Sequence, residues 1–160
     1  MIGSYKRINK DELDLLLKRI RTVFDVTDSE DEESLGKFLD IDKSWHAIHF
    51  LLNNDAWDGD YPLHNAVLGG TEIGEDLGYG AAHYLTPEEV QETSNALSQI
   101  SEQRFLSRFD ADKLNKAEIY PQGWRGDKQE VEYLRGNFLD LVGFFKEAAN
   151  ADEAMVIWLS

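Results

Sequence analysis

The chain has 160 residues, no cysteine, and 31 acidic against 16 basic side chains, a formal net charge of −15 at pH 7. Its length suits one domain over residues 1–160, and 42% hydrophobic content is enough for a packed core. The lack of cysteine excludes disulfides, thiolate metal centres and thiol nucleophiles, and the charge argues against nucleic acid and anionic membrane as partners.

The opening "MIGSYKRI" predicts a strand with Ile2, Tyr5 and Ile8. In "NKDELDLLLKRIRTVF", Leu13, Leu16, Leu17, Ile20 and Phe24 fall on one helical face, and Asn9 with Glu12 forms a capping-box pattern. The following "DVTDSEDEE", residues 25–33, holds six acidic residues in nine and reads as a solvated loop.

A second helix starts at Asp42, its expected cap, with Trp45, Ile48, His49 and Leu52 on one stripe. It breaks into "NNDAWDGDYPL", rich in turn formers, and "AVLGG" is a short ordered piece. "GYGAAHYL" predicts a strand. "TPEEV" then opens a helix, with Thr86 as N-cap, Pro87 at the first position and Glu89 closing the box. Val90, Thr93, Leu97 and Ile100 line its inner face.

Two short helical turns lead to Pro121. A long helix near residues 129–150 carries Val131, Leu134, Phe138, Leu141, Val142 and Phe145 in phase, and "AMVIWL" closes the chain as a buried strand. This order predicts an α/β or α+β layered domain. Its small sheet is assembled from the two chain ends and the middle, with helices packed on its faces. No apolar signal region opens the chain and no run is long enough to span a bilayer, so the expected location is cytoplasmic.

The candidate chemistry is sparse. His46 and His49 stand at i and i+3, a spacing that permits a shared metal, but H-E-x-x-H is absent. His49 shares the Trp45 stripe and reads as a core histidine, whereas His46 reads as solvated. Asp55, Asp58 and Asp60 fail the calcium-loop spacing and suit Asx-turns instead. No phosphate loop or nucleophile elbow is present, so neither a metal nor another cofactor is expected. In "AEIYPQGWRGD", Tyr120, Trp124 and Arg125 surround a turn, an aromatic-plus-arginine composition found at binding hot spots.

"MIGSYKRI", "LDIDKSWHAIHFLLN", "PLHNAVLGG", "GYGAAHYLTPEEV" and "AEIYPQGW", followed by a final helix and strand, together resemble the YfbM-like family of small uncharacterised bacterial proteins. The resemblance spans the whole chain in order. It implies a three-layer domain and no established activity. It also singles out Asp42, Trp45, His49 and Tyr120 as residues the family shares. The expected function is a non-enzymatic, acidic protein-binding module of immunity or antitoxin type, occluding a basic partner. The alternative is a small enzyme or ligand-binding protein with a pocket near His49 and Tyr120.

Overall fold

A computed structural model describes residues 1–19, 21–27 and 36–160. β1 (Gly3–Ile8) and β5 (Ala154–Leu159), from opposite ends of the chain, pair antiparallel at the centre of a five-stranded sheet. β2 (Phe38–Asp40) flanks β1, while β4 (Ala81–Leu85) and then β3 (Thr71–Asp76) extend the other side, giving the order β2-β1-β5-β4-β3. All four pairings are antiparallel.

Alternation along the strands divides the core into two layers. Tyr5, Leu85, Met155 and Ile157 face the larger cluster, built with α3 (Trp45–Asn53), α4 (Pro87–Ser98), α5 (Glu102–Leu106), α6 (Ala111–Lys116) and α7 (Lys128–Asn150). Ile8, Ala82, Val156 and Trp158 face a smaller cluster under α1 (Lys10–Leu17) and α2 (Val23–Thr27). The result is an α+β fold with helices on both sheet faces, as the order of elements predicts.

Local signals fixed most helix starts. Asn9 and Thr86 each accept from the N3 amide while Glu12 and Glu89 reach back, so both predicted capping boxes form. On α4, the predicted inner residues Val90, Thr93 and Leu97 are buried, and so is Ile100 just beyond its end. On α7, Leu134, Phe138, Leu141 and Phe145 are buried, and Val131 and Val142 lie half-buried at the edge of the stripe.

Three local expectations are corrected. The first helix ends at Leu17 rather than running to Phe24, because Arg19 adopts a left-handed φ of 57° that turns the chain. The phase is reset there, so Val23 and Val26 are buried while Phe24 stands 48% exposed; Leu17, the last residue of α1, is 50% exposed. Residues 25–27 complete α2 with Val26 inside, so this part of the acidic stretch is not a loop; residues 28–33 lie outside the described residues. Asp42 starts a 3-10 turn over Asp42–Ser44 instead of capping α3, and its carboxylate accepts from the Tyr133 hydroxyl at 2.9 Å. The two strands not predicted are edges. β2 is three residues long, and β3 ("TEIGED") is polar and interrupted by Gly74 beside a register shift.

α3 packs so close to β1 that a Cβ on Gly3 would sit 2.8 Å from the Trp45 Cβ and 3.1 Å from Ile41. Gly3→Ala will therefore destabilise the fold by about 1–3 kcal/mol, measurable as a lower urea midpoint with unchanged m.

Candidate functional site

α3 is nearly encircled by protein: Trp45, His46, Ala47, Ile48, His49, Leu51 and Leu52 are all buried. A helix buried all round has no solvated face on which to put a polar residue, which is why His46, predicted to be solvated, is only 1% exposed. Both imidazoles are satisfied by backbone and amide groups. His46 Nε2 lies 2.8 Å from the Ala56 carbonyl, which can only accept, and Nδ1 receives the Tyr120 N–H at 3.0 Å. These partners fix the neutral Nε2–H tautomer.

His49 repeats the arrangement one turn on. Its Nε2 donates to the Asp58 carbonyl at 3.2 Å, while Nδ1 accepts from the Asn53 amide at 3.3 Å. Burial, with the neighbouring His64 and His46 adding repulsion to a charged ring, pushes His49 down to about 4. Burial likewise lowers His46. Both rings are neutral at pH 7, with each nitrogen occupied.

What these histidines hold is the loop of residues 54–62. Asn54 leaves α3 in a left-handed conformation (φ 56°), and its N–H bonds back to the Phe50 carbonyl at 2.7 Å. Asp55 Oδ1 then accepts from the amides of Trp57 (2.9 Å) and Asp58 (2.8 Å), the expected Asx-turn. Those two amides hold the Asp55 carboxyl below its usual range, so it is charged. The far end is tied down where His64 N donates to the Asp60 carbonyl at 3.0 Å and Thr93 Oγ1 reaches the Pro62 carbonyl at 3.4 Å.

On this frame Trp57 and Tyr61 project outward, 63% and 53% exposed. Trp57 is not loose. Its ring lies 4.4 Å from that of His46, which stacks at 4.7 Å on Trp45, which in turn stacks at 5.9 Å on Tyr120. An aromatic column thus runs from the buried side of α3 to the surface. Exposed carboxylates of Asp55, Asp58 and Asp60 surround Trp57 in sequence, and the Glu92 carboxylate on α4, beside the Tyr61 hydroxyl, pushes that group up to about 12.

Residues 1–158 match the family described as Domain of unknown function (DUF1877). The chain belongs to this family. Protein YfbM of Escherichia coli (strain K12) is 28% identical over 144 residues, spanning 88% of this chain and 85% of that protein. The crystal structure of YfbM from Escherichia coli, a protein of unknown function, shares the fold with a TM-score of 0.73. It covers 98% of both chains at 24% identity. The family is thus the YfbM-like one anticipated from the sequence, and it carries no assigned activity.

The predicted candidates separate into three places. Trp45 and Tyr120 stack beside α3, with the Tyr120 hydroxyl accepting from the Met1 amino group at 3.0 Å, while His49, on the same helix, is turned to the Asp58 carbonyl. Asp42 lies on the 3-10 turn before α3, engaged with Tyr133, whose hydroxyl is pushed up by burial and by that carboxylate. Trp124 turns inward, 7% exposed, donating Nε1 to the Ile119 carbonyl at 3.0 Å. Arg125 stays outside, paired with Asp127 at 2.9 Å and Glu130 at 3.4 Å. Sequence reasoning set His46 aside as solvated and passed over Trp57 and Tyr61. The available signal was two aromatics stranded among turn-forming residues in "NNDAWDGDYPL", where nothing in the local pattern asks for them.

Among the described residues, no group of three or more His, Asp or Glu is placed to hold a metal ion, and no helix is long and apolar enough to cross a membrane. Two cavities, of about 580 and 370 Å³, open elsewhere, and neither is lined by His49 or Tyr120.

Proposed function

We propose that this chain is a non-enzymatic binding module that docks a basic protein surface through the loop of residues 54–62, in the manner of an immunity or antitoxin-type protein. The observation that carries the reading is Trp57, exposed yet anchored on the His46–Trp45–Tyr120 column and flanked in sequence by the exposed Asp55, Asp58 and Asp60. Tryptophan and tyrosine dominate binding energy when they cover a partner's side chains, and an arginine or lysine laid on an indole gains about 0.5–2 kcal/mol. A loop already held by seven or so hydrogen bonds loses little further freedom on docking. The net charge of −15 adds steering toward a basic partner.

His46 and His49 act as anchors of that loop. Each nitrogen already has a partner, so neither ring has a free nitrogen to offer a substrate proton, which weighs against acid–base catalysis at this point of the fold.

The test is capture from the source cell's lysate with two baits, the wild-type chain and a Trp57→Ala, Asp60→Lys variant. Asp60 is chosen because its side chain takes no part in the loop's internal bonds. A basic protein retained by the wild type at low salt, released at high salt and retained about 10–100-fold less by the variant is the expected result. Equal retention by both baits would contradict the reading.

A further inference from the structure

We propose that the cavity between the α1–α2 turn and strand β3 binds a monoanionic amphiphile, an apolar chain ending in a carboxylate. The cavity has a volume of about 580 Å³, within the roughly 300–1,000 Å³ common for small-molecule sites. Its walls include Leu16, Val23, Ile73 and Tyr84, which belong to or pack on the smaller core cluster. Leu17 and Phe24 line it as well, each about half exposed, so the apolar surface runs from the floor out to the mouth.

This shape has local causes. The left-handed Arg19 ends α1 and turns the chain away before α2 begins. On the opposite wall Gly74, with φ 81°, lies so near Val23 that a Cβ would sit 2.6 Å from its Cγ2. Helix and strand therefore touch at Gly74, beside the cavity that both line.

The head-group assignment rests on Arg19 and Arg21, which line the same cavity in a chain with only 16 basic residues. Arg19 has no ion-pair partner among the described residues, and Arg21 has a loose one, Glu12 at 3.9 Å. The Arg19 guanidinium is thus available to a ligand carboxylate, which it can bind with two parallel hydrogen bonds, and Arg21, only loosely engaged by Glu12 and near Asp25, adds a second positive charge beside it. The strand wall contributes Glu72 and Glu75. Their repulsion disfavours a doubly charged phosphate head and selects a single negative charge held on the helix side. None of these residues belongs to the loop of residues 54–62, so this site stands or falls independently of the protein-binding reading.

The experiment titrates the full chain with dodecanoate, dodecanol and dodecylammonium, each below its micellar concentration, by calorimetry and amide NMR. Saturable one-to-one binding of dodecanoate is expected, with shifts at residues 16–19, 21–24 and 71–75 and clearly weaker binding of the other two. Arg19→Ala with Arg21→Ala should weaken dodecanoate by about tenfold or more. Thr71→Trp, on the face shared with Tyr84, should abolish binding by filling the cavity, and Ile73→Trp provides the same block if the first variant folds poorly. Absence of saturable dodecanoate binding would overturn the proposal. So would equal affinity for dodecanol or dodecylammonium, or a double arginine variant that binds like wild type.

Discussion

Trp45→Ala will lower the unfolding free energy by about 3–5 kcal/mol, the range for deleting a large buried aromatic. Trp45 is fully buried, stacked between His46 and Tyr120, and its Cβ sits against Gly3 on β1. The backbone contact with Gly3 prevents collapse into the space left, so the cavity cost adds to the lost burial. Trp45→Phe will cost less than about half as much. It keeps a stacking ring, and it removes an indole Nε1 that is buried without a hydrogen-bond partner. Chemical denaturation of the three proteins measures both differences. A Trp45→Ala loss below about 1 kcal/mol would mean that the aromatic column is not a structural unit.

Stability will also fall as pH drops from about 6.5 toward 4. The sign follows from His49, whose pKa falls from an unfolded value of 6.5 to about 4 in the fold. Between those values the unfolded chain binds the extra proton and the folded chain does not, so acid favours unfolding. The full benefit is present above the unfolded value and is lost as pH falls toward the folded one. At pH 5 the loss from His49 alone is about 1–2 kcal/mol, and His46, lowered in the same direction, adds to it.

Proton uptake has a structural consequence as well. A proton on His46 Nδ1 would face the Tyr120 N–H, and one on His49 Nδ1 would face the Asn53 amide, each placing two donors together. Urea unfolding at pH 7.5 and pH 5 measures the slope. His49→Ala should cost about 1–3 kcal/mol at pH 7.5 and flatten the pH dependence between the two. A variant with full stability and the wild-type slope would remove His49 from its anchoring role.

The legible part of this fold was the part written in local patterns. Asn9–Glu12 and Thr86–Glu89 form complete capping boxes, so their helices begin where the sequence says. The buried stripes of α4 and α7 follow helical period, and "AMVIWL" is apolar on both faces because β5 is central in the sheet. Periodicity failed where burial did not have a single direction. α3 is enclosed on nearly every side, so no polar stripe marks an outer face and His46 was assigned one it does not have. At Arg19 a single left-handed residue broke the phase, a change invisible to a pattern that continues for two more turns.

The candidate site was legible by residue type and not by position. Trp45 and Tyr120 converge and His49 ties the loop one turn further on, but the surface they support belongs to Trp57 and Tyr61, whose exposure depends on contacts distant in sequence. Tyr120 is 74 residues from His46, and Thr93 reaches Pro62 across 31. Such pairings come from the packing of α3 and α4 and carry no local signature. Trp124 shows the reverse: its composition suggested a hot spot, and its indole is spent on the Ile119 carbonyl.

Hydrogen–deuterium exchange of the chain, free and loaded with the protein it captures, reads whether the loop of residues 54–62 is the docking surface. The binding reading predicts new protection concentrated in residues 55–62 and the start of α4 around Glu92, with α6 and the turn at residues 120–126 unchanged. Protection elsewhere with the loop of residues 54–62 exchanging as in the free chain would contradict it.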